Sequence, residues 1–553
     1  MHDKTEERYI VVLGSLLSGI GKGLVSASIT KMLSFYGLNV APMKFDGYLN
    51  YDCGTMNPLK HGEVFVLDDK SEVDMDFGTY ERFLNKSLSG SLSLTGGKLF
   101  SEIITKERRG DYLGSDVQII PHMTNLIVER VRKTYKDNNL DVLLIEVGGT
   151  VGDIENSYFI EAMRELALTA KVVFIDITYI PELGVVGEQK TKPTQLALRS
   201  LMQVGIQPDF IITRSDKKLG DKARNKIALF ANLKEDNIID NKDVDNIYEV
   251  PEHLIKNGFS GKLMHALDLD SEIDNSKFQK WKDATSKSPG SRLNIAVVGK
   301  YVDLKDSYTS IREALSHAGT ASRADVFIDW IEAEELEALE DFRSRLNSAD
   351  GVLVPGGFGN RGIEGMINAI TYARESKTPY LGICLGMQLM AIEFARNVAL
   401  LSGANSSEFD SNAKHKIIDI MDSQRFISEK GGTMRLGSWD AILKPSTLAF
   451  EAYGTSNIAE RHRHRYEFNN AYKDTLQAHG LTISGTSADG MLVEFIEWRD
   501  GYGIGTQAHP ELKSRPEAPS PLFVSFIEAA IKRSKSDPND SLSVRQNAQH
   551  KQQ

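Results

Sequence analysis

The sequence predicts an α/β protein built from two doubly wound domains, each with a parallel sheet covered by helices on both faces. Three observations predict this fold class. Continuous apolar runs rich in β-branched residues recur along the chain, a helical pattern follows each run, and a polar segment divides the runs into two groups. Strands buried on both faces of a parallel sheet have this composition. A chain of 553 residues also exceeds what one hydrophobic core usually serves.

The apolar runs are the predicted strands, five in each half of the chain. They are Tyr9–Leu13, Val40–Lys44, Val142–Glu146, Val172–Asp176, Phe210–Arg214, Ile295–Gly299, Val326–Trp330, Val352–Pro355, Tyr380–Cys384 and Ile504–His509. The polar segment Ser271–Arg292 contains Ser-Lys-Ser-Pro-Gly-Ser, which is typical of a connector. We therefore expect domains at 1–270 and 294–533 and a linker at 271–293. The end of the chain, 534–553, is rich in Ser, Asn, Gln and Lys and is expected to be a disordered tail.

Composition and charge exclude several classes of protein. Apolar residues make up 41% of the chain and charged residues 25%, which is typical of globular proteins. The 65 basic and 76 acidic residues give a net charge of −11, which disfavours a general nucleic-acid surface. Two cysteines, Cys53 and Cys384, are too few for a disulfide framework and indicate a reducing compartment. No signal-peptide pattern and no apolar run of about 20 residues is present, so we expect a cytoplasmic protein without a membrane segment.

A glycine-rich turn follows the first predicted strand and precedes a helical pattern. Residues 14–23 read Gly-Ser-Leu-Leu-Ser-Gly-Ile-Gly-Lys-Gly. Such a turn lets backbone N–H groups approach a polyphosphate, and Lys22 would reach the terminal phosphates. The usual phosphate loop has a hydroxyl residue after the lysine to bind Mg²⁺, but here that residue is Gly23, so carboxylates must hold the metal. The candidates are Glu72, Asp74, Asp76 and Glu146; a turn that serves only packing is the alternative.

Cys384 lies between two nearby glycines in Tyr-Leu-Gly-Ile-Cys-Leu-Gly-Met-Gln, residues 380–388. This spacing is typical of a nucleophile elbow, a sharp strand-to-helix turn at which a helix N-terminus favours a thiolate. Another predicted strand leads into Gln-Ala-His-Pro-Glu, where His509 would be the base and Glu511 would orient it. The loop Pro355–Gly359 and the N–H of Leu385 would stabilise an oxyanion. An inert cysteine in the core is the alternative.

Longer segments carry a resemblance to known families. They are Gly62–Asp69, Lys106–Gly114, Glu146–Glu155, Lys190–Gln195 and Arg461–Glu467. Together with the elbow, they make the second half similar to class I glutamine amidotransferases, and nearly the whole chain resembles the CTP synthase family. The resemblance implies a P-loop-like synthetase domain joined to a flavodoxin-like class I glutaminase domain.

The resemblance also implies the site residues. Cys384, His509 and Glu511 would be catalytic, and Asp76 and Glu146 would hold Mg²⁺. ATP would be bound by Gly19, Ile20, Gly21, Lys22, Gly23, Leu24, Lys44, Asp76, Lys242, Asp243 and Val244. UTP and CTP would be bound by Ser18, Asp153, Ile154, Glu155, Lys190, Thr191, Lys192, Pro193, Thr194, Gln195 and Lys226. Glutamine would be bound by Gly357, Leu385, Gly386, Met387, Gln388, Glu408 and Arg465, and an ammonia passage would be lined by Pro58, His61 and Val64. Without the family, Lys190 and Lys192 are typical of solvated lysines and Arg461–Arg465 of a basic patch.

The activity implied is ATP-dependent amination of UTP to CTP, through 4-phosphorylated UTP, with ammonia from glutamine. The resemblance further implies GTP as an allosteric activator, CTP as a product inhibitor, and homotetramers that sometimes form filaments, with no nucleic-acid or membrane partner. Two alternatives stay open: a glutamine amidotransferase that amidates a cofactor carboxylate, and a nucleotide-sensing filament scaffold without catalysis. Three residues depart from the family pattern, namely Ser15, Ala508 and Thr309, and Thr309 bears on the response to GTP.

Overall fold

The computed structural model describes residues 6–15, 17–183, 188–286, 290–302, 304–421, 424 and 431–536. The chain forms two compact units. The first comprises Met1–Cys53 and Asp76–Asp283, and the second comprises Gly54–Met75 and Ala284–Gln553. Over the described ranges, no helix is both long enough and apolar enough to span a membrane.

The first unit has a seven-stranded, fully parallel sheet. Its strands are β1 (Arg8–Ser15), β2 (Val40–Asp46), β3 (Ser93–Thr95), β4 (Val142–Val147), β5 (Lys171–Tyr179), β6 (Phe210–Ser215) and β7 (Ile238–Lys242), in the order β7-β6-β5-β1-β4-β2-β3. Its helices are α1 (Lys22–Ser34), α2 (Asp76–Leu84), α3 (Gly96–Arg109), α4 (Thr124–Asp137), α5 (Ser157–Leu166), α6 (Lys192–Gln203), α7 (Asp221–Ala231), α8 (Val250–Lys256), α9 (Phe259–Ala266) and α10 (Asn275–Thr285).

Both faces of this sheet are covered by helices, which confirms the predicted doubly wound class. Val12 and Ile175 pack into the core that contains α1, whereas Ile211 packs on the opposite face with Leu198 of α6 and Ile227 of α7. Strand β1 lies in the middle of the sheet, between β4 and β5. Because open parallel sheets bind ligands beyond the carboxyl ends of their strands, this arrangement places the glycine-rich turn after β1 at the expected ligand edge.

The second unit has a nine-stranded sheet that is only partly parallel. Its strands are β8 (Ser291–Gly299), β9 (Ala324–Glu332), β10 (Gly351–Val354), β11 (Tyr380–Ile383), β12 (Arg435–Leu443), β13 (Asn457–His464), β14 (Leu481–Ser487), β15 (Val493–Trp498) and β16 (Gly503–Thr506). The order is β9-β8-β10-β11-β16-β15-β14-β12-β13. The pairs from β9 to β16 are parallel, and the pairs from β16 to β13 are antiparallel.

The antiparallel extension differs from the sequence prediction of a wholly parallel second sheet. The five predicted strands of this half are all present in its parallel part, but β12–β15 were missed because polar residues interrupt each of them and leave no continuous apolar run. The helices of this unit are α11 (Thr309–Ala321), α12 (Ala333–Ala338), α13 (Phe342–Leu346), α14 (Ile363–Ser376), α15 (Leu385–Asn397), α16 (Leu448–Tyr453), α17 (Lys473–Ala478) and α18 (Pro521–Ser536). A separate three-stranded sheet is formed by Ala404–Ser406, His415–Ile420 and Tyr466–Phe468.

The segment Gly54–Met75 belongs to the second unit although it lies within the first half of the chain. It contains one turn of helix at Pro58–His61 and a small antiparallel pair, Phe65–Val66 with Glu72–Val73. Glu63 accepts hydrogen bonds from the backbone N–H and hydroxyl of Ser310, at the start of α11. The sequence boundary at 270 does not anticipate this excursion, and the predicted domain boundaries stay a prediction.

The segment expected to be a linker contains helix α10. Trp281 on this helix is fully buried, and its indole N–H donates to the carbonyl of Tyr248 in the first unit at 3.1 Å. One large aromatic residue therefore holds a segment that is otherwise polar. Helix α18 extends to Ser536, so the first residues of the expected tail are helical, and residues 537–553 lie outside the described residues.

Candidate functional site

The elbow at Cys384 is formed where β11 turns sharply into α15. Cys384 is the N-cap of α15 and has φ 52° and ψ −99°, a conformation that a non-glycine residue adopts only when its surroundings impose it. Its N–H donates to the carbonyl of Thr506 on β16 at 2.7 Å. A Cβ on Gly386 would lie 2.1 Å from the carbonyl oxygen of Val354, and one on Gly382 would lie 2.7 Å from the carbonyl carbon of Gly386. The two glycines are therefore required by sterics, as the sequence predicted.

The structure brings His509 and Glu511 to the cysteine. Nδ1 of His509 lies 2.7 Å from Oε1 of Glu511, and a Cβ on Gly356 would lie 2.8 Å from Cε1 of His509 and 3.6 Å from Cβ of Cys384. Burial alone would lower the pKa of His509, but the Glu511 carboxylate and the Cys384 sulfur outweigh it and raise the pKa to about 10. The Glu511 carboxylate and the Cys384 sulfur thus both favour the charged form of His509.

A cavity of about 80 Å³ opens beside these residues within the second unit. Its wall includes Pro58, Glu63 and Val64 from the 54–75 segment and Gly356, Gly357 and Phe358 from the loop after β10, together with Cys384, His509 and Glu511. Two of the three residues predicted to line an ammonia passage, Pro58 and Val64, are thus next to the cysteine. The third, His61, is exposed and is not among the described residues of the wall.

Two charged side chains bind the backbone of the loop after β10, one at its carbonyl groups and the other at an N–H group. Lys300, which follows β8 and is buried, donates to the carbonyls of Gly359 and, at 3.4 Å, Phe358. Glu408 accepts the N–H of Gly359 at 2.9 Å. Burial lowers the pKa of Lys300 to about 8 and raises that of Glu408. The sequence analysis missed Lys300; its position directly after a buried parallel strand was the available signal.

The predicted glutamine-binding residues are only partly gathered at the small cavity. Gly357 lies in its wall, but Glu408 and Arg465 are not among the described residues that line it. The guanidinium of Arg465 donates to Oε1 of Gln424 at 2.6 Å and to the hydroxyl of Thr433 at 2.9 Å. Leu385, Gly386, Met387 and Gln388 form the buried first turn of α15.

The segment Arg461–Arg465 is not a basic patch, so that alternative is wrong. Arg461 is fully buried and donates to Oδ1 of Asp68 at 2.7 Å, and Arg463 donates to Oε1 of Glu72 at 2.8 Å. Both carboxylates come from the 54–75 segment of the same unit. One of the metal candidates, Glu72, is thus the partner of an arginine within the second unit.

The glycine-rich turn after β1 has the geometry of a phosphate loop. Gly19 and Gly21 have φ of 72° and 85°, which favour glycine, and Lys22 begins helix α1. Nζ of Lys22 donates to the carbonyl of Gly149 at 2.6 Å, beside the carboxyl end of β4. Burial lowers the pKa of Lys22, and Glu146 and Asp76 oppose that effect. The predicted lysine and both predicted metal carboxylates are therefore in one electrostatic environment.

The structure explains why the position after Lys22 is glycine. A Cβ on Gly23 would lie 2.0 Å from Oδ1 of Asp76, so the Asp76 carboxylate occupies the space that the hydroxyl residue fills in an ordinary phosphate loop. Asp76 also forms an ion pair with Lys44. On β4, Oε2 of Glu146 accepts the hydroxyl of Tyr80 at 2.6 Å.

This donor set fits a magnesium ion. Two carboxylates, supplemented by phosphate oxygens and water, are the oxygen ligands that Mg²⁺ takes beside nucleotides. Within the part of the chain that the structure describes, no group of three or more His, Cys, Asp or Glu side chains forms a cage for a metal. A metal bound by Asp76 and Glu146 would therefore depend on its nucleotide for the other ligands.

Five of the eleven predicted UTP and CTP residues line a larger cavity in the first unit, of about 690 Å³. Its wall contains Lys190, Thr191, Lys192, Gln195 and Lys226, together with Glu188, Gln189, Leu229 and Phe230. The cavity carries an excess of positive charge suited to a polyphosphate. The other six, Ser18, Asp153–Glu155, Pro193 and Thr194, are not among the described residues of the wall. Asp153 accepts the N–H of Thr150 at 2.7 Å.

Two charged residues near the phosphate loop were not predicted. Arg214, at the end of β6, donates to the carbonyl of Gly19 at 3.2 Å and to Oδ1 of Asp243 at 2.8 Å, linking the loop to the predicted adenine-side segment Lys242–Val244. Asp176 on β5 is buried and accepts the hydroxyl of Ser15; burial raises its pKa to about 7. The departure at Ser15 is thus paired with a buried acid.

Comparisons with known proteins match two parts of the chain to described families. A family model described as the CTP synthase N-terminus matches residues 8–269, and one described as class I glutamine amidotransferase matches residues 303–529. The protein named CTP synthase from Caldanaerobacter subterraneus subsp. tengcongensis is 49% identical over 530 residues, which are 95% of this chain and 98% of that protein. The CTP synthase of Methanocaldococcus jannaschii is 47% identical over 535 residues, with coverages of 95% and 98%.

One solved structure among the similar ones is the glutaminase domain of Trypanosoma brucei CTPS with bound acivicin. It is 38% identical in sequence, covers 43% of this chain and 94% of that domain, and has a TM-score of 0.41.

Proposed function

Since the chain belongs to the CTP synthase family of glutamine-hydrolysing ligases, we propose that its second unit releases ammonia from glutamine and its first unit uses ATP to prepare UTP for amination. The observation that carries this proposal is the presence of two different sites in one chain. The second unit contains Cys384, His509 and Glu511, and the first unit contains a phosphate loop next to Asp76 and Glu146. The comparisons support the activity, and the assignment of individual residues is the part proposed.

In the second unit, the sulfur of Cys384 attacks the side-chain amide carbon of glutamine, and the amide nitrogen leaves as ammonia with a proton from His509. Water, activated by the now neutral His509, hydrolyses the resulting thioester to glutamate. Glu511 keeps the imidazole oriented throughout. We assign Gly357 and the N–H of Leu385 to the oxyanion, and Gln388, Glu408 and Arg465 to the rest of glutamine.

The ammonia must be kept from bulk water, where at neutral pH it becomes non-nucleophilic ammonium. The small cavity beside Cys384 continues to Pro58 and Val64. We therefore assign this cavity as the start of its path. Glu63, which is bonded to Ser310 on α11, holds the segment that supplies these two walls.

In the first unit, the C4 oxygen of UTP is a poor leaving group until ATP phosphorylates it. Gly19–Leu24 would cradle the ATP phosphates, with Lys22 and Lys44 nearest the transferred phosphoryl group and Lys242–Val244 on the adenine side. A Mg²⁺ ion held by Asp76 and Glu146 would supply charge neutralisation at the phosphates. Ammonia then attacks C4, and phosphate leaves to give CTP.

The lysine-lined cavity of the first unit is assigned to the triphosphate of UTP. Lys190, Lys192 and Lys226 act there as point charges. Thr191 is the N-cap of α6, and Pro193 lies in its first turn. CTP would share the triphosphate site and add contacts at Asp153–Glu155, which makes product inhibition part of the proposal.

Regulation and assembly complete the proposal. We assign GTP as an allosteric activator and the cytoplasm as the location of the protein. We further propose that the chain forms a homotetramer and that tetramers assemble into filaments. Thr309, which is buried at the start of α11, stands where some members of the family carry lysine, so this position bears on the response to GTP. The two rival functions, amidation of a cofactor carboxylate and a catalytically silent scaffold, are not favoured, because the relatives share the CTP synthase name over nearly the full chain.

The test separates the two units. Cys384→Ala should abolish CTP formation with glutamine and leave CTP formation with ammonium chloride within about twofold of the parent, because the second reaction bypasses the thioester. Loss of both reactions in a folded protein would contradict the division of roles, as would glutamate release by the variant. UTP omission is the control for the substrate assignment.

A further inference from the structure

Gln507 lies against the nucleophile but belongs to none of the groups assigned above. Ile383 and Thr506 are paired in register on the adjacent parallel strands β11 and β16, so the next residues, Cys384 and Gln507, leave the sheet side by side. Gln507 is completely buried, and its Nε2 lies 3.5 Å from Sγ of Cys384. Its own backbone N–H donates to the carbonyl of Glu494 at 2.9 Å, which fixes the main chain at this point.

The orientation of the Gln507 amide follows from an unambiguous acceptor. The backbone carbonyl of Tyr466 can only accept, so the atom of Gln388 that faces it at 3.0 Å must be the NH₂ group. The same nitrogen lies 3.2 Å from the side chain of Gln507, which must therefore present its oxygen to Gln388. The NH₂ group of Gln507 is then left facing the sulfur. The two amides form a directed relay from Tyr466 through Gln388 to Cys384.

We propose that Gln507 is a further catalytic residue, which donates a hydrogen bond to the Cys384 thiolate, and that Gln388 positions it. The proposal rests on the proposed role of Cys384 as the nucleophile. Because both N–H bonds of Gln388 are used inside the protein, only its carbonyl oxygen remains for a substrate, so Gln388 contacts glutamine as an acceptor. The bond from Gln507 serves two purposes: it favours the charged sulfur, and it fixes the direction of attack while His509 delivers its proton to the leaving amine.

Two variants test the donor. Gln507→Met keeps the length and removes the amide, and Gln507→Glu keeps the shape but replaces the donor with an acceptor that repels a thiolate. The measurement is the pH dependence of iodoacetamide alkylation, read by peptide mass spectrometry so that Cys384 is separated from the other cysteine, Cys53. The other titratable or charged side chains that line the cavity at the sulfur are Glu63, Tyr301, Tyr308, Arg463, His509 and Glu511, and both variants retain them.

A hydrogen bond to a charged group corresponds to a shift of about one to two pH units, so the alkylation midpoint of Gln507→Met should move upward by that amount. Gln507→Glu should move it further. Because a more basic thiolate is also more nucleophilic, the glutamine-dependent kcat/KM of Gln507→Met at pH 7 should fall by only about 3- to 15-fold. CTP formation with ammonium chloride reports that the chain is folded.

A midpoint that stays within about 0.3 units in both variants, or that moves downward, overturns the proposal. Loss of glutaminase activity with an unchanged midpoint overturns it as well, because that result assigns Gln507 a packing role. If Gln507→Met fails to fold, the isosteric Gln507→Glu carries the test. Failure of the underlying function is separate: it would appear as glutamine hydrolysis by Cys384→Ala, whatever Gln507 does.

Discussion

The requirement for glycine behind the nucleophile gives a prediction whose size can be worked from the structure. Gly386 is the second residue of α15, and replacing it with alanine would place a Cβ 2.1 Å from the carbonyl oxygen of Val354. That oxygen belongs to β10, a buried strand of the central sheet, and cannot rotate away. Restoring an ordinary contact of about 3.4 Å requires the elbow to move by about 1.3 Å, the difference between the two distances.

Two opposing energies decide the effect on stability. Alanine in a helix is favoured over glycine by about 0.5–1 kcal/mol, whereas overpacking a buried site costs about 1–3 kcal/mol or more. The clash is with backbone, so the cost should win, with a net loss of about 1–2 kcal/mol. For a unit of this size, Tm should fall by about 2–8 °C. Since a misplacement of about 1 Å costs about 100-fold in rate, glutamine-dependent kcat should fall by two orders of magnitude.

Gly261→Ala is the matched control. Gly261 is also helical, in α9 of the first unit, and an added Cβ would meet no heavy atom within 4 Å. Helix propensity alone then applies, so this variant should be more stable by about 0.5–1 kcal/mol with unchanged activity. The assays are thermal unfolding and CTP formation with glutamine and with ammonium chloride. The steric reasoning is refuted if Gly386→Ala is stabilised like the control and keeps glutamine-dependent kcat within about threefold of the parent.

Three further predictions concern charge and space at the two sites. Glu511→Gln removes the carboxylate that raises the pKa of His509 to about 10. Because the imidazolium is lost as pH rises through this pKa, the alkaline limb of glutamine-dependent kcat near pH 10 should move to lower pH in the variant. A pH profile whose alkaline limb does not move would contradict this. Lys300 should lose its charge as pH rises through about 8, so the glutamine-dependent rate of the parent should decline near pH 8 and that of Lys300→Met should not. At pH 7 this variant should lower the glutamine kcat/KM by about tenfold, and ammonia-dependent synthesis is the unaffected control. Gly23→Ser would place a Cβ 2.0 Å from Oδ1 of Asp76, so the affinity for ATP, measured by calorimetry, should fall by at least about tenfold. A higher affinity would contradict this, because it would mean that the serine hydroxyl restores an ordinary phosphate loop.

The sequence by itself determined the features that depend on neighbouring residues. The run from Tyr380 to Gln388 predicts the elbow because a strand, two glycines and a helix start must follow one another within a few residues to expose a nucleophile. The parallel strands were predictable for the same reason, since burial on both faces makes each one a continuous apolar run. His509 and Glu511 lie two residues apart, so their hydrogen bond was also within reach of local reasoning.

Features formed by residues far apart in the chain were decided by the tertiary structure. Polar residues interrupt each of the strands β12–β15 and leave no continuous apolar signal, so the antiparallel half of the second sheet was not predictable from apolar runs. Nothing in the composition of Gly54–Met75 indicates that Asp68 and Glu72 pair with Arg461 and Arg463, roughly 390 residues later. Ion pairs at that separation depend on the path of the whole chain.

The two sites show the same division at the level of single atoms. The glycine-rich turn predicted a phosphate loop, and Gly23 indicated that a hydroxyl ligand is missing, but only the fold shows that Asp76 occupies its space. Likewise, the sequence placed Gln507 two residues before a catalytic histidine, whereas the register of β11 with β16 sets its amide against Cys384. Sequence spacing fixes which residues share a turn; strand pairing, which follows from burying the whole sheet, fixes which turns meet.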